Sequence, residues 1–129
     1  MEDMLSETKA LGDLLREHKG DNVVVLDLRK IGTQGAPCTW TDFFVIATAT
    51  SSAHLDGLER HIKEFCRERE IEILRRSLKP KIPAGMQSIT SGEDEWRIID
   101  LGAAVIHLMS RKARDFYELE RLYSDAETV

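Results

Sequence analysis

The sequence predicts an α/β (α+β) fold in which helices cover a mixed sheet of about five strands. Three observations predict it. Two short β-branched or wholly apolar runs lie near residues 22–28 and 42–50. Amphipathic helical stripes stand before, between and after such runs. A tight hairpin signal is centred on Gly102. The chain has 129 residues, 42% of them hydrophobic and 32% charged. That is enough for one ordinary core without disulfides or metal, so residues 1–129 are expected to form a single domain.

Residues 1–19 read as a helix, because Met4, Thr8, Leu11, Leu15 and His18 recur at three- and four-residue steps. Gly20 is the expected stop. Gly12, inside the pattern, costs about 1 kcal/mol relative to Ala. Asn22–Leu28 (NVVVLDL) is a buried strand, too short and too β-branched for a typical helix. Residues 29–41 carry Gly32, Gly35 and Pro37 and read as a loop. Asp42–Thr50 (DFFVIATAT) is apolar on both faces, as a central strand covered on each side is.

Thr50, Ser51 and Ser52 offer N-caps for the next helix. Its apolar stripe is Leu55, Leu58, Ile62, Phe65 and Cys66, and its polar face carries Glu59, Arg60, Lys63, Glu64 and Arg67. The helix is expected to run to about Arg69. Ile71–Leu74 is a short strand, followed by a long Pro-, Gly- and Ser-rich surface loop. Trp96–Leu101 and Ala103–Met109 form an antiparallel hairpin about Gly102. Arg111–Tyr123 closes the fold as a helix, with Phe116, Leu119 and Tyr123 inward. It carries the four-residue charge pairs Arg111–Asp115 and Arg114–Glu118. The tail from Ser124 is expected to fray.

The formal net charge is −5. An acidic chain repels nucleic-acid phosphates over most of its surface, so direct RNA contact is expected to be minor at most. No run of about 18 apolar residues exists, so no membrane span is expected. The N-terminus lacks a signal peptide, which makes the cytoplasm the expected setting and leaves the two cysteines, Cys38 and Cys66, as free thiols.

Several residues could carry chemistry. Asp27, Asp42 and Asp100 sit in or beside strands, and three carboxylates at a sheet edge suit Mg²⁺ in nucleotidyl transfer. The plainer reading is solvation or capping, since acids at strand ends are ordinary and Arg29, two residues after Asp27, cannot ligate a cation. Ser51 and Ser52 occupy the place of a nucleophile elbow but lack its flanking glycines, so helix capping explains them. His54 and His61 stand seven apart, whereas a metal clamp uses a four-residue step. His107 reads as a satisfied core or edge histidine. The run Arg75, Arg76, Lys79, Lys81 reads as a solvated loop. Trp96, after the acids Glu93, Asp94 and Glu95, either anchors an interface or packs the sheet.

Three segments carry a resemblance: DNVVVLDL, TDFFVIATATSS and EWRIIDLGAAVIHLMSRKARDFYELERLYSDA. In this order they resemble the ribosomal silencing factor (Iojap-like) family. The resemblance implies a fold related to nucleotidyltransferases without transferase activity, hence no catalytic residues, no cofactor and no metal. It implies a protein that binds the large ribosomal subunit through that subunit's protein fourteen. Bound there, it blocks joining to the small subunit and represses translation, and some relatives assist late large-subunit assembly. Homodimers are also expected from the resemblance. Carried across, Trp96, Ile98 and Asp100 project from one side of a strand in the contact surface, with Trp96 as the apolar anchor. Asp100 and Asp42 would meet basic partner groups. The family usually has Gly where Ala49 stands and Asp where Ala103 stands. Its loops at 29–41 and 79–94 are usually shorter.

Overall fold

The computed structural model of the chain describes residues 4–29, 41–77, 96–117 and 127–128. Six strands form one sheet: β1 Asp21–Asp27, β2 Phe43–Ala49, β3 Arg75–Ser77, β4 Trp96–Asp100, β5 Ala104–Ser110 and β6 Glu127–Thr128. Their order across the sheet is β3-β4-β5-β2-β1-β6. β2 and β5 pair in parallel, and every other neighbour is antiparallel. Three helices accompany it: α1 Met4–Glu17, α2 Ser52–Glu68 and α3 Arg111–Tyr117. The parallel step from β2 to β5 passes through α2, the covered crossover that parallel pairing needs.

β2 is buried at all seven positions and lies between β5 and β1. This matches its apolar character on both faces. On one face Val45, Ala47, Ile106, Leu108 and Ile99 meet Leu11 and Leu15 of α1 and Leu55, Leu58 and Ile62 of α2. Ala49, where the family usually has Gly, is buried in the same cluster. On the other face Leu26, Phe44, Ile46, Trp96, Val105 and Met109 meet Ala113 of α3. Gly12 has a packing purpose: a Cβ there would stand 2.9 Å from Val25 Cγ2, so glycine lets α1 lie close on β1.

Both long helices end in the same device. Gly20 N–H donates to Leu15 O at 2.7 Å and Lys19 N–H to Arg16 O at 3.1 Å, with Lys19 at φ 68°. At the end of α2, Ile71 N–H donates to Cys66 O at 2.8 Å and Glu70 N–H to Arg67 O at 3.3 Å, with Glu70 at φ 56°. These are Schellman caps in which a residue other than Gly holds the left-handed position. The expected stop at Gly20 therefore falls one residue past the left-handed position. Ser51 is the N-cap of α2, accepting from His54 N–H at 3.0 Å.

Several expectations are corrected. The sheet has six strands rather than five, because Glu127–Thr128 pairs with Asp27 and Leu26, so this part of the tail joins the sheet. The short strand expected at Ile71–Leu74 stands instead at Arg75–Ser77. Leu74 N–H bonds Asp100 O, and β3 then pairs antiparallel with β4. The described part of the last helix ends at Tyr117. Its expected inward side chains, the Arg114–Glu118 pair, the acids 93–95, Lys79, Lys81, Cys38 and loops 30–40 and 78–95 lie outside the described residues. Arg111 pairs with Asp21 of β1. Arg114 is buried, and its Nη1 donates to Thr48 Oγ1 of β2 at 2.9 Å.

Candidate functional site

The hairpin of β4 and β5 is set by Gly102, whose φ of +90° suits glycine. Asp100 Oδ1 accepts from Gly102 N–H at 2.8 Å, and Leu101 N–H bonds Ala104 O at 2.9 Å. This turn pairs Trp96 with Met109 and Ile98 with His107. Trp96 and His107 are thus diagonal neighbours on one face. Trp96 Nε1–H donates to His107 Nδ1 at 3.0 Å, and Phe44 meets the imidazole edge-on with centroids 4.6 Å apart.

The bond from Trp96 fixes the neutral tautomer, since Nδ1 accepts and Nε2 must carry the proton. His107 Nε2 is buried and has no hydrogen-bond partner among the described residues. The histidine is therefore only half satisfied, against the expectation of a satisfied one. Burial holds its pKa down to about 3, from an ordinary value near 6.5. The Cys66 thiol, in the opposite cluster, is pushed up by burial.

The structure places each expected contact residue near this hairpin. Trp96 is 8% exposed and packs the sheet. Ile98 is half-buried on the same face, packed against the Trp96 cluster. Asp100 is buried, with one oxygen committed to the turn. Asp42 is exposed, and its N–H bonds Ala103 O at 3.0 Å, tying the start of β2 to the turn. Ala103 is half-buried there. Leu74, 54% exposed, lies against Gly102 at the same end.

The three aspartates read as an alternative Mg²⁺ site do share this end of the sheet. Asp27 and Phe43 are register partners, and so are Asp100 and Val105. Asp27 is engaged, however. It takes Arg29 Nε at 3.0 Å, Arg29 Nη2 at 2.8 Å and Arg29 N–H at 3.0 Å. No group of three or more His, Cys, Asp or Glu suited to a metal occurs among the described residues. His54 is spent on structure: its Nε2 meets His18 O at 3.0 Å and its Nδ1 accepts from Thr50 N–H at 3.0 Å. His61 stacks on His18 with centroids 3.6 Å apart.

Two features escaped the sequence reading. The Trp96–His107 bond joins residues eleven apart, and only the hairpin register reveals it. Arg97, on the other face, reaches Asp56 at 2.5 Å and Glu59 at 3.4 Å of α2. Glu59 is correspondingly buried rather than part of the solvated helix face. Strand alternation from Ile99 in the α-helical cluster was the available signal for Arg97.

The hairpin site is thus an acidic and apolar strand end on an α+β sheet. Comparison with known proteins gives it a context. The family described as "Ribosomal silencing factor during starvation" matches residues 2–129. The chain belongs to this ribosomal silencing factor family. It is 32% identical over 119 residues to the ribosomal silencing factor RsfS of Treponema pallidum, covering 90% of this chain and 88% of that one. It is 27% identical to the Mus musculus protein named mitochondrial assembly of ribosomal large subunit protein 1, covering 88% of this chain but 43% of that longer protein. A crystal structure of a Chromobacterium violaceum protein superposes with a TM-score of 0.70 at 25% identity, covering 96% of this chain and 88% of that one. These names point to a ribosome-associated factor. No helix among the described residues is long and apolar enough to cross a membrane.

Proposed function

We propose that this protein binds the large ribosomal subunit through that subunit's protein fourteen, blocks joining to the small subunit and so represses translation. The same binding serves late large-subunit maturation, and the protein catalyses no reaction. The observation that carries this reading is the family match over residues 2–129. The engagement of Asp27 by Arg29 and of Asp100 by Gly102 weighs against the nucleotidyltransferase alternative.

The contact surface is the β4 strand and the sheet end beside it. Trp96 acts as an anchor whose ring is set by its bond to His107. Ile98 supplies accessible apolar area, and Asp42 supplies an exposed carboxylate for a basic partner group. Asp100 acts by holding the turn that presents them.

Sedimentation of the purified protein with isolated subunits tests the reading, followed by a subunit-joining assay. Binding to the large subunit alone, with fewer joined ribosomes, is expected. Asp42→Lys, at an exposed site, should weaken binding several-fold without loss of stability. Trp96→Ala should weaken binding by more than about 1 kcal/mol, as anchor truncations do. Absence of co-sedimentation with large subunits would overturn the proposal, and full affinity in Asp42→Lys would remove that carboxylate from the contact.

A further inference from the structure

The outer surface of α2 carries a cationic groove that neither the fold nor the hairpin site uses. The buried side of α2 is formed by Leu55, Leu58, Glu59, Ile62, Phe65 and Cys66. Outside it, Arg60, Lys63, Glu64 and Arg67 line an open groove of about 230 Å³. Arg60, Lys63 and Arg67 stand at i, i+3 and i+7, so they form one row with axial steps of about 4.5 and 6 Å.

Two acids of this helix are drawn at least in part to Arg97 of β4. Asp56 is paired with Arg97 of β4. Glu59 is shared between Arg97 at 3.4 Å and Lys63 at 3.3 Å. Among the described residues, Glu64 is the one carboxylate lining the groove. Among the described residues, neither Arg60 nor Arg67 has an ion-pair partner. With Lys63 paired to Glu59, Arg60 and Arg67 stand against one lining carboxylate, which leaves the groove locally positive in a chain whose net charge is −5. Two arginines held on a rigid helix, with fork-shaped guanidinium groups, are suited to bridging phosphate oxygens.

We infer that this groove takes the phosphodiester backbone of RNA in the particle to which the protein docks. The inference rests on the ribosome-binding reading above. It adds a second contact to it, because α2 and the Trp96 cluster cover opposite faces of the sheet. The contact is sequence-independent and salt-sensitive, since each phosphate neutralised releases condensed counterions. The acidic remainder of the surface keeps it weak alone, so it strengthens docking rather than directing it. The proposal is compatible with RNA contact being minor over the chain as a whole, because it confines that contact to this groove.

The test is the salt dependence of large-subunit binding by the full chain, read from about 50 to 200 mM salt. For two lost phosphate contacts, affinity of the unaltered protein should fall about tenfold more across this range than that of Arg60→Gln/Arg67→Gln. Glu64→Lys, which adds a cation to the row and cannot act merely by unfolding, should tighten binding and steepen the dependence. Trp96→Phe should leave the salt dependence unchanged. A short single-stranded RNA should bind the isolated protein weakly, and the double variant should lose that binding. Identical salt dependence in the double variant would overturn the inference. So would polyglutamate competing as well as RNA, which would mark a groove for acidic proteins. If the unaltered protein ignored large subunits, the ribosome reading would fall, and the RNA titration would still decide the groove.

Discussion

The two faces of the sheet are built differently. Under α1 and α2 the contacts are chiefly aliphatic and aromatic, and the polar groups there, Thr8, Glu59 and Arg97, bond to Met4 O or pair with one another. On the other face polar groups enter the core itself. His107 lies among Trp96 and Phe44 with one nitrogen unpaired, and Arg114 is buried against Thr48. Buried polar groups are costly unless satisfied and are poor devices for stability alone. The larger aliphatic cluster lies on the α1/α2 face, so truncations there are expected to cost the most stability. The proposed contact strand, with Trp96 and Ile98, belongs to the face that buries His107.

Truncating the stable face should have the largest effect. Leu58, 1% exposed, sits between α2 and the sheet. Leu58→Ala should cost about 2–5 kcal/mol in denaturant unfolding, the range for buried leucine truncations. Subunit affinity per folded molecule should stay unchanged. Ile98→Ala, at a half-buried position, should cost far less stability and still weaken subunit binding. If Leu58→Ala impaired binding by the folded protein, or Ile98→Ala did not, the division between the faces would fail.

A second effect belongs to the polar face and appears with pH. Folding holds the His107 pKa down to about 3. The unfolded chain therefore takes up a proton below about pH 6.5 that the folded chain refuses. Stability from this group is complete above that value and is lost as pH falls towards 3. At pH 5 the loss should be about 2 kcal/mol relative to pH 8. His107→Phe should flatten this part of the pH–stability curve, at the cost of leaving Trp96 Nε1–H without its acceptor. An unchanged slope between pH 5 and 7 in that variant would show that other groups cause the acid lability.

The two faces also differ in how far the sequence exposes them. The helical stripe from Leu55 to Cys66 and the apolar run around Val45 are local periodicities, and both stand where expected. The Trp96–His107 bond depends on which residue of β4 faces which residue of β5, a register set by the turn at Gly102. The bond from Arg114 to Thr48 was not legible, because a four-residue charge spacing looks the same whether the helix surface meets water or a strand. The strand at Arg75–Ser77 was missed because its polar residues lack an apolar pattern and pairing to β4 alone makes it a strand. Glu127–Thr128 is shorter still and is defined by its register with β1. Of the proposed contact residues, the sequence indicated the shared side of Trp96 and Ile98. It did not indicate that Asp100 would be buried and tied to Gly102.

The smallest effect tests whether the α1/α2 face is fully optimised for stability. Its helices end with Lys19 and Glu70 in left-handed backbone, where a side chain costs roughly 1 kcal/mol or more. Glu70 is exposed, and its N–H supplies the cap bond to Arg67 O that any residue's backbone can make. Glu70→Gly should therefore relieve strain without removing a contact. Greater freedom of glycine in the unfolded chain offsets part of the gain, so the net stabilisation should be about 0.5–1 kcal/mol, measured by urea unfolding. Subunit binding and its salt dependence should not change, because Glu70 is neither in the groove nor on the contact strand. A destabilised variant would mean that the Glu70 side chain supports the end of α2 in a way its backbone conformation does not reveal. A stabilised one would show that this face retains strain at the end of α2, with Lys19→Gly the corresponding test at the end of α1.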